Sequence, residues 1–262
     1  MNNLAQATWV ELLKARRSRM PVITLLAFSL APLAGGFFMW VLKDPELAQR
    51  MGVISLKAQI VAGTADWPTY MGILAQAVAI GGVILFSLIT SWVFGREWAD
   101  HTLNDLLALP TGRSSVVLAK FLVVILWSAL ITLVIFLISI GMGMVLDLPQ
   151  APVGLFQQSA ARLAIITGLT ILLVTPISFI ASAGRGYLPP MGVAILAIIL
   201  AQLVAAAGWG DYFPWSIPAL YTGVAGPAYG DLGIVSYLIV FLTSLAGFGA
   251  TLAWWEWADQ PG

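Results

Sequence analysis

The chain reads as an all-α membrane protein: six transmembrane helices, an interfacial helix at the N-terminus, and a short cytoplasmic helix between the second and third spans. Three observations predict this. Of 262 residues, 60% are hydrophobic and 9% charged, with a mean hydropathy of +0.94. A soluble domain carries about 25% charged residues, so this chain cannot cover a water-facing surface, and the same figures exclude disorder. The few charges bracket six uncharged runs of 22 to 29 residues, each long enough for the roughly 20 apolar residues of a spanning helix. Trp40, Trp67, Trp92, Trp209, Trp254, Trp255 and Trp257 fall near the ends of these runs, where indoles favour the headgroup layer.

Residues 1–19 place Leu4, Ala5, Thr8, Trp9 and Leu12 on one side at helical spacing and Gln6, Glu11, Lys14 and Arg17 on the other. Such a helix, basic at its end, is expected to lie along the inner membrane surface. The spans follow at about 20–42, 69–94, 117–146, 161–183, 188–208 and 233–255. With the N-terminus inside, the inner pieces hold eight Lys and Arg and the outer pieces four. That bias predicts both termini in the cytoplasm. The first apolar run is too long for a signal-peptide core, so no cleavable leader is expected. No charge is placed at mid-membrane.

The outer loop 43–66 opens with Asp44-Pro45-Glu46, a helix start. Leu47, Met51, Ile54 and Ala58 then share a face, which predicts a surface-lying helix. Residues 209–232 hold Pro214, Pro218 and Pro227 among aromatics and glycines. Two readings stand open: a re-entrant outer segment, or an interfacial loop with belt aromatics. Inside the spans, Gln76, Thr167, Thr170, Thr175 and Gln202 are the polar side chains singled out. Such groups usually bond a neighbouring helix; Gln76, Thr170, Thr175 and Gln202 are also the candidates for a substrate path. Thr175-Pro176 predicts a kink. Gly141, Gly143, Gly247 and Gly249 permit close helix approach.

Net charge is zero, with twelve Lys and Arg against twelve Asp and Glu, which argues against a nucleic-acid partner. No cysteine is present, and His101 is the sole histidine. Thiolate chemistry, disulfides and multi-histidine metal sites are therefore excluded. No residues are assigned as catalytic or as metal ligands. Glu97, Asp100 and His101 read as helix-end charges in a solvated loop rather than as an enzyme site.

The most specific stretch lies between the second and third spans, residues 95–114. It contains Arg96-Glu97, then Thr102-Leu103, Leu106-Leu107, Pro110, Arg113 and, at the start of the next span, Lys120. Thr102 with Asp105 three residues on reads as a capping box, and Pro110 as a helix stop. Leu103, Leu106 and Leu107 give this short helix an apolar face beside charges, the character of a docking surface.

These residues resemble the signature of the ABC type-2 permeases, the membrane subunits of ATP-binding-cassette exporters. The six spans, the N-terminal helix and the long segment before the last span are similar as well. Size and the lack of a fused domain place the nearest likeness in the bacitracin-resistance and lantibiotic-immunity branch. His101 departs from the glycine that many members carry before the threonine. The resemblance implies an exporter of an amphiphilic or hydrophobic substrate, such as a peptide antibiotic, lipid or drug. It implies two permease subunits, identical or paralogous, each resting on a cytoplasmic ATPase subunit, in a bacterial cytoplasmic membrane. Arg96, Glu97, Thr102, Leu103, Leu106, Leu107, Pro110 and Arg113 would then form the coupling segment, and residues 1–19 the elbow. The chain has no Gly-x-x-x-x-Gly-Lys-Ser/Thr, so it binds no cofactor in this reading; ATP and Mg belong to the partner. Membrane lipid is the remaining expected partner. An ion-coupled secondary transporter or channel is the alternative. It would place ionisable residues within the spans or a polar lining ring, and none is read there.

Overall fold

A computed structural model describes residues 3–44, 64–100, 102, 112–149, 151–223 and 232–257. Every regular element among them is helical: α1 (Asn3–Arg17), α2 (Met20–Lys43), α3 (Trp67–Ala99), α4 (Arg113–Val145), α5 (Leu155–Leu173), α6 (Thr175–Ala183), α7 (Leu188–Ala206), two 3₁₀ turns (Gly210–Tyr212 and Pro214–Ser216), α8 (Ile217–Leu220) and α9 (Ile234–Trp257). Six helical units are long and apolar enough to cross a membrane, α5 and α6 together making the fourth. The surface helix expected after Asp44 and the apolar helix expected around Leu103, Leu106, Leu107 and Pro110 lie outside the described residues.

α3 is the central element. It packs against α2, α4, α5, α6, α7 and α8, and half of its most apolar stretch is buried. It starts cleanly because the Asp66 carboxylate accepts the Thr69 N–H at 2.9 Å, with Pro68 in the first turn. Its 33 residues extend about 50 Å at 1.5 Å per residue, well beyond a hydrocarbon layer of about 30 Å. The sequence reading ends this span near residue 94 and starts a separate segment at 95. In the structure residues 95–99 continue α3, and Arg113 and Ser114 open α4.

Small residues and proline decide how α2 joins this centre. Pro32 sits inside α2, and the buried Tyr70 hydroxyl of α3 donates to the Pro32 carbonyl at 3.0 Å. A side chain at Gly35 would meet the Tyr70 ring at 3.1 Å, and one at Gly36 would meet Met142 of α4 at 2.7 Å. At the other end of α2, Lys43 Nζ donates to the Asp147 carbonyl at 2.7 Å and also contacts the Leu146 carbonyl. The chain turns there through Asp147 at φ 48°. Of the paired glycines, Gly143 packs so closely on the Trp67 indole that a Cβ there would overlap it, while Gly141 faces open space.

The fourth span breaks at Val174, where Pro176 removes an N–H from the helix ladder. Thr175 Oγ1 lies 2.8 Å from the Leu172 carbonyl and 2.9 Å from the Ser244 carbonyl of α9. Ser178 and Thr251 hydroxyls meet at 2.9 Å, and Trp255 Nε1 donates to Ser182 Oγ at 3.0 Å. These contacts form a polar seam between α6 and α9, the arrangement that holds helices together where lipid offers no hydrophobic drive. The seam closes tightly because Gly247 faces backbone: a Cβ there would lie 2.3 Å from Pro176 N.

Residues 209–223 fold into two 3₁₀ turns and α8, with Ser216, Ile217, Pro218 and Leu220 buried against α3, α5, α7 and α9. Arg162 of α5 donates to the Thr222 carbonyl, and Ser236 of α9 donates to the Asp211 carbonyl at 2.9 Å.

Gly247→Leu should therefore separate α6 from α9 and cost about 1–3 kcal/mol or more. Gly249→Ala, whose Cβ meets nothing within 4 Å, should change stability by no more than about 0.5 kcal/mol. Thermal unfolding of the two variants in detergent, followed by size exclusion, checks both.

Candidate functional site

The third, fourth and N-terminal helices meet in a closed ring of four charges. Lys14 Nζ lies 2.5 Å from Glu11 Oε1 and 3.0 Å from Glu97 Oε1. Lys120 Nζ lies 2.8 Å from the same Glu97 oxygen and 3.2 Å from Glu11 Oε2. Each charge touches two of opposite sign, so the ring is neutral. Three of its members are buried, Lys120 0%, Glu97 2% and Glu11 6% exposed, while the Lys14 side chain is 25% exposed and forms the ring's outer edge. Lys120 further donates to the Val93 carbonyl at 2.7 Å and sits 5.9 Å from the ring centres of Phe94 and Trp255, close enough for cation–π attraction.

Helix geometry delivers these groups. Glu11 and Lys14 are three apart on α1, hence neighbours on one face. Glu97 lies in the last turn of α3. Lys120 is seven residues into α4, two turns from Arg113, so it points the same way as that first turn. Moving these charges out of water costs several kcal/mol each, recovered only because every one is paired. Burial pushes the Lys14 ammonium down, but the carboxylates of Glu11 and Glu97 outweigh it and hold its pKa above the ordinary lysine value. Lys14 is therefore charged at physiological pH. Its stabilising contribution is complete below the ordinary lysine range and is lost as pH rises through the raised value.

This ring refines one sequence reading and revises another. The sequence puts Glu11 and Lys14 on the side of α1 opposite an apolar side expected on the membrane. That polar side faces the protein, and the apolar side stays outward, with Trp9 66% exposed. The buried Lys120–Glu97 pair draws Glu11 and Lys14 there: Lys120 donates to Glu11 and Lys14 donates to Glu97 Oε1, while Glu97 Oε2 has no hydrogen-bond partner among the described residues. Glu97, read as a helix-end charge in a solvated loop, is among the most buried charges of the molecule. The clue in the sequence is Lys120 itself, a lysine two turns inside an apolar helix.

The other members of the predicted coupling segment divide. Arg96 stacks 5.0 Å over Trp92, and its Nε contacts Asp100 at 3.0 Å. Thr102 N–H donates to the Glu97 carbonyl at 3.0 Å. Arg113 Nη1 donates to the carbonyls of Trp255 and Glu256, each at 3.3 Å, capping the end of α9. The turn between α6 and α7 closes on the same end of α3, with Arg185 4.9 Å over Trp98. Thus the residues on either side of the 103–111 stretch are tied to α1, α4, α9 and the α6–α7 turn.

The candidate substrate-path residues do not form one site. Gln76 and Gln202 line a cleft of about 190 Å³ between α3 and α7, floored by Trp215, Ser216 and Leu220. Trp215 Nε1 there has no hydrogen-bond partner among the described residues. Thr170 is buried elsewhere and donates to the Ile166 carbonyl at 2.8 Å. Thr175 lines a separate apolar crevice with Phe241 and Phe248. Gln76 and Glu97 are 21 residues apart on α3, about 30 Å by the helix rise. The cleft and the ring therefore occupy opposite ends of one helix. Among the described residues no group of acids and histidine could hold a metal ion.

A family model described as "ABC-2 family transporter protein" matches residues 7–201, a stretch that includes all four ring residues and Gln76. The bacitracin transport permease protein BCRB of Bacillus licheniformis is 26% identical over 183 residues, covering 70% of this chain and 87% of that protein.

Lys120→Ala should leave Glu11 and Glu97 facing Lys14 alone and cost about 3–5 kcal/mol. Glu97→Gln combined with Lys120→Ala should cost clearly less than the two single changes summed, because the pair is coupled. Thermal unfolding of the four proteins in the cycle measures this. Strict additivity would show that the ring does not act as a unit. In the parent, the Lys14 contribution should begin to fall only above the ordinary lysine value of 10.5.

Proposed function

The chain belongs to the ABC-2 transporter family and is the membrane subunit of an ABC transporter, and on that premise we propose that it exports an amphiphilic or hydrophobic substrate using ATP hydrolysed in a separate subunit. A peptide antibiotic, a lipid or a drug fits the apolar bundle, and the name of the Bacillus relative supports the first. Residues 95–114 dock on the ATPase, α1 serves as the elbow, and a second permease subunit, identical or paralogous, completes the path. The membrane is the bacterial cytoplasmic membrane, with both termini inside.

One observation carries the mechanism: the ring and the Gln76 cleft share α3. A push delivered to residues 100–112 reaches Glu97 directly. Because Glu97 is bonded to Lys14 and Lys120, α1, the end of α3 and the start of α4 move as one body. α3 then shifts against α7, whose Gln202 forms the other wall of the cleft. The α3–α7 contact is rich in alanine, with Ala79, Ala201 and Ala205 lining it, so the two helices can slide with little steric cost. ATP closure thus opens or shuts a cleft about 30 Å away along α3.

The assembly is expected to be two permease and two ATPase subunits, read by native mass spectrometry of the affinity-purified complex. Leu106→Asp or Leu107→Asp should reduce the yield of ATPase in a pull-down, since a charge would enter an apolar contact. Transport by the chain alone in liposomes, without ATP, would overturn this reading in favour of an ion-coupled carrier.

Orientation has a separate test, made simple by the absence of cysteine. Val153→Cys, at a fully exposed position between α4 and α5, should react with an impermeant thiol reagent from outside the cell. Arg17→Cys should react only after permeabilisation. The reverse pattern would invert the topology.

A further inference from the structure

We propose that the groove between α1, α2 and α4 is a binding site for an anionic phospholipid, with an acyl chain lying along α4 and the headgroup phosphate paired with Arg16. The groove has a volume of about 290 Å³ and is lined by Leu12, Leu25, Leu126, Leu130 and other apolar side chains, with Arg16 as its one charged wall residue. It follows α4 from Val123 to Val134, about 16 Å at the helix rise, which is the shape of a chain rather than of a compact ligand. Trp127 forms part of the wall. Its Nε1 is already committed to Thr24 Oγ1 at 3.2 Å, so the indole offers the groove an apolar surface.

The charge at one end selects the occupant. Lys14, Lys120 and Arg96 are all paired with carboxylates. Arg16 has no acidic partner among the described residues and stands at the joint of α1 and α2, with Arg17 and Arg19 close in sequence. A zwitterionic lipid offers that guanidinium a phosphate already balanced by the headgroup's own cation. An anionic headgroup supplies the missing charge, and a basic residue beside an apolar slot on the cytoplasmic side of a bundle is a known recognition chemistry for such lipids. The exposed Trp9 and Leu12 of α1 keep the mouth of the groove at the membrane surface. Naming the inner leaflet rests on the orientation proposed above; the site itself does not depend on the substrate or on ATP coupling.

Trp127 makes the groove directly readable. The full chain, purified with its co-purifying subunits, is reconstituted in phosphatidylcholine vesicles containing a minor fraction of lipid brominated on its acyl chains. Quenching at the groove is the difference between the parent and Trp127→Phe. Brominated phosphatidylglycerol should quench Trp127 more effectively than brominated phosphatidylcholine, with a preference of roughly fivefold, which corresponds to about 1 kcal/mol. Arg16→Gln should abolish the preference. Arg19→Gln, which does not line the groove, should retain it. Equal quenching by both lipids, or loss of the preference in both arginine variants, would overturn the proposal. Absence of Trp127 quenching by both lipids would also overturn it, since another protein chain would then cover the groove.

Discussion

A lysine cannot sit dry in an apolar bundle unless opposite charge meets it, and that rule organises this molecule. Lys120 is fully enclosed, so Glu97 must come to it. α1 then docks with a second neutral pair, Glu11 and Lys14, which gives Lys120 and Glu97 each a further partner of opposite sign. The course of the N-terminal helix, the direction in which α3 leaves the bundle and the pitch of α4 are consequences of one electrostatic requirement. A hydrophobic contact would tolerate a slipped register. The ring does not, because sliding α1 by one residue removes both its acid and its base from reach.

Where the ring gives registry at one end of the bundle, hydroxyls do so along its side. Thr175, Ser178 and Ser182 of α6 meet Ser244, Thr251 and Trp255 of α9 at helical spacing. The break at Val174 exposes carbonyls that a straight helix would use internally, and the seam satisfies part of that need. Gly247 lets the two backbones approach closely enough for these short side chains to reach across. Break, small residue and hydroxyl ladder are thus one device.

Sequence alone made the six spans legible, because helix length in lipid is a one-dimensional constraint and the charge-free runs record it. The break at Thr175-Pro176 was legible for the same reason, since proline acts locally. The ring was not. Its links between helices join residues 23 to 109 apart, and nothing local distinguishes Glu11 facing water from Glu11 facing Lys120. The amphipathic pattern separates the two sides of α1, and its apolar side with Trp9 and Leu12 is the exposed one, but the pattern cannot say that the polar side packs on protein rather than in water. Gln76 and Gln202 could be chosen as polar residues in spans, but their meeting across a cleft depends on α3 and α7 lying side by side. Thr170 and Thr175, singled out on the same ground, donate to backbone carbonyls, the bonding that polar groups in spans usually make.

The ring also imposes an order on biogenesis. Glu11 and Lys14 leave the ribosome more than a hundred residues before Lys120, and chain elongation runs at about 5–20 residues per second. For several seconds α1 has no such seat to enter, and its charges keep it at the membrane surface beside Arg16, Arg17 and Arg19. Only when α4 has been inserted does α1 acquire its seat. The N-terminal helix is thus made well before the lysine that completes its seat, and its ring of four charges can close only once α4 is in place.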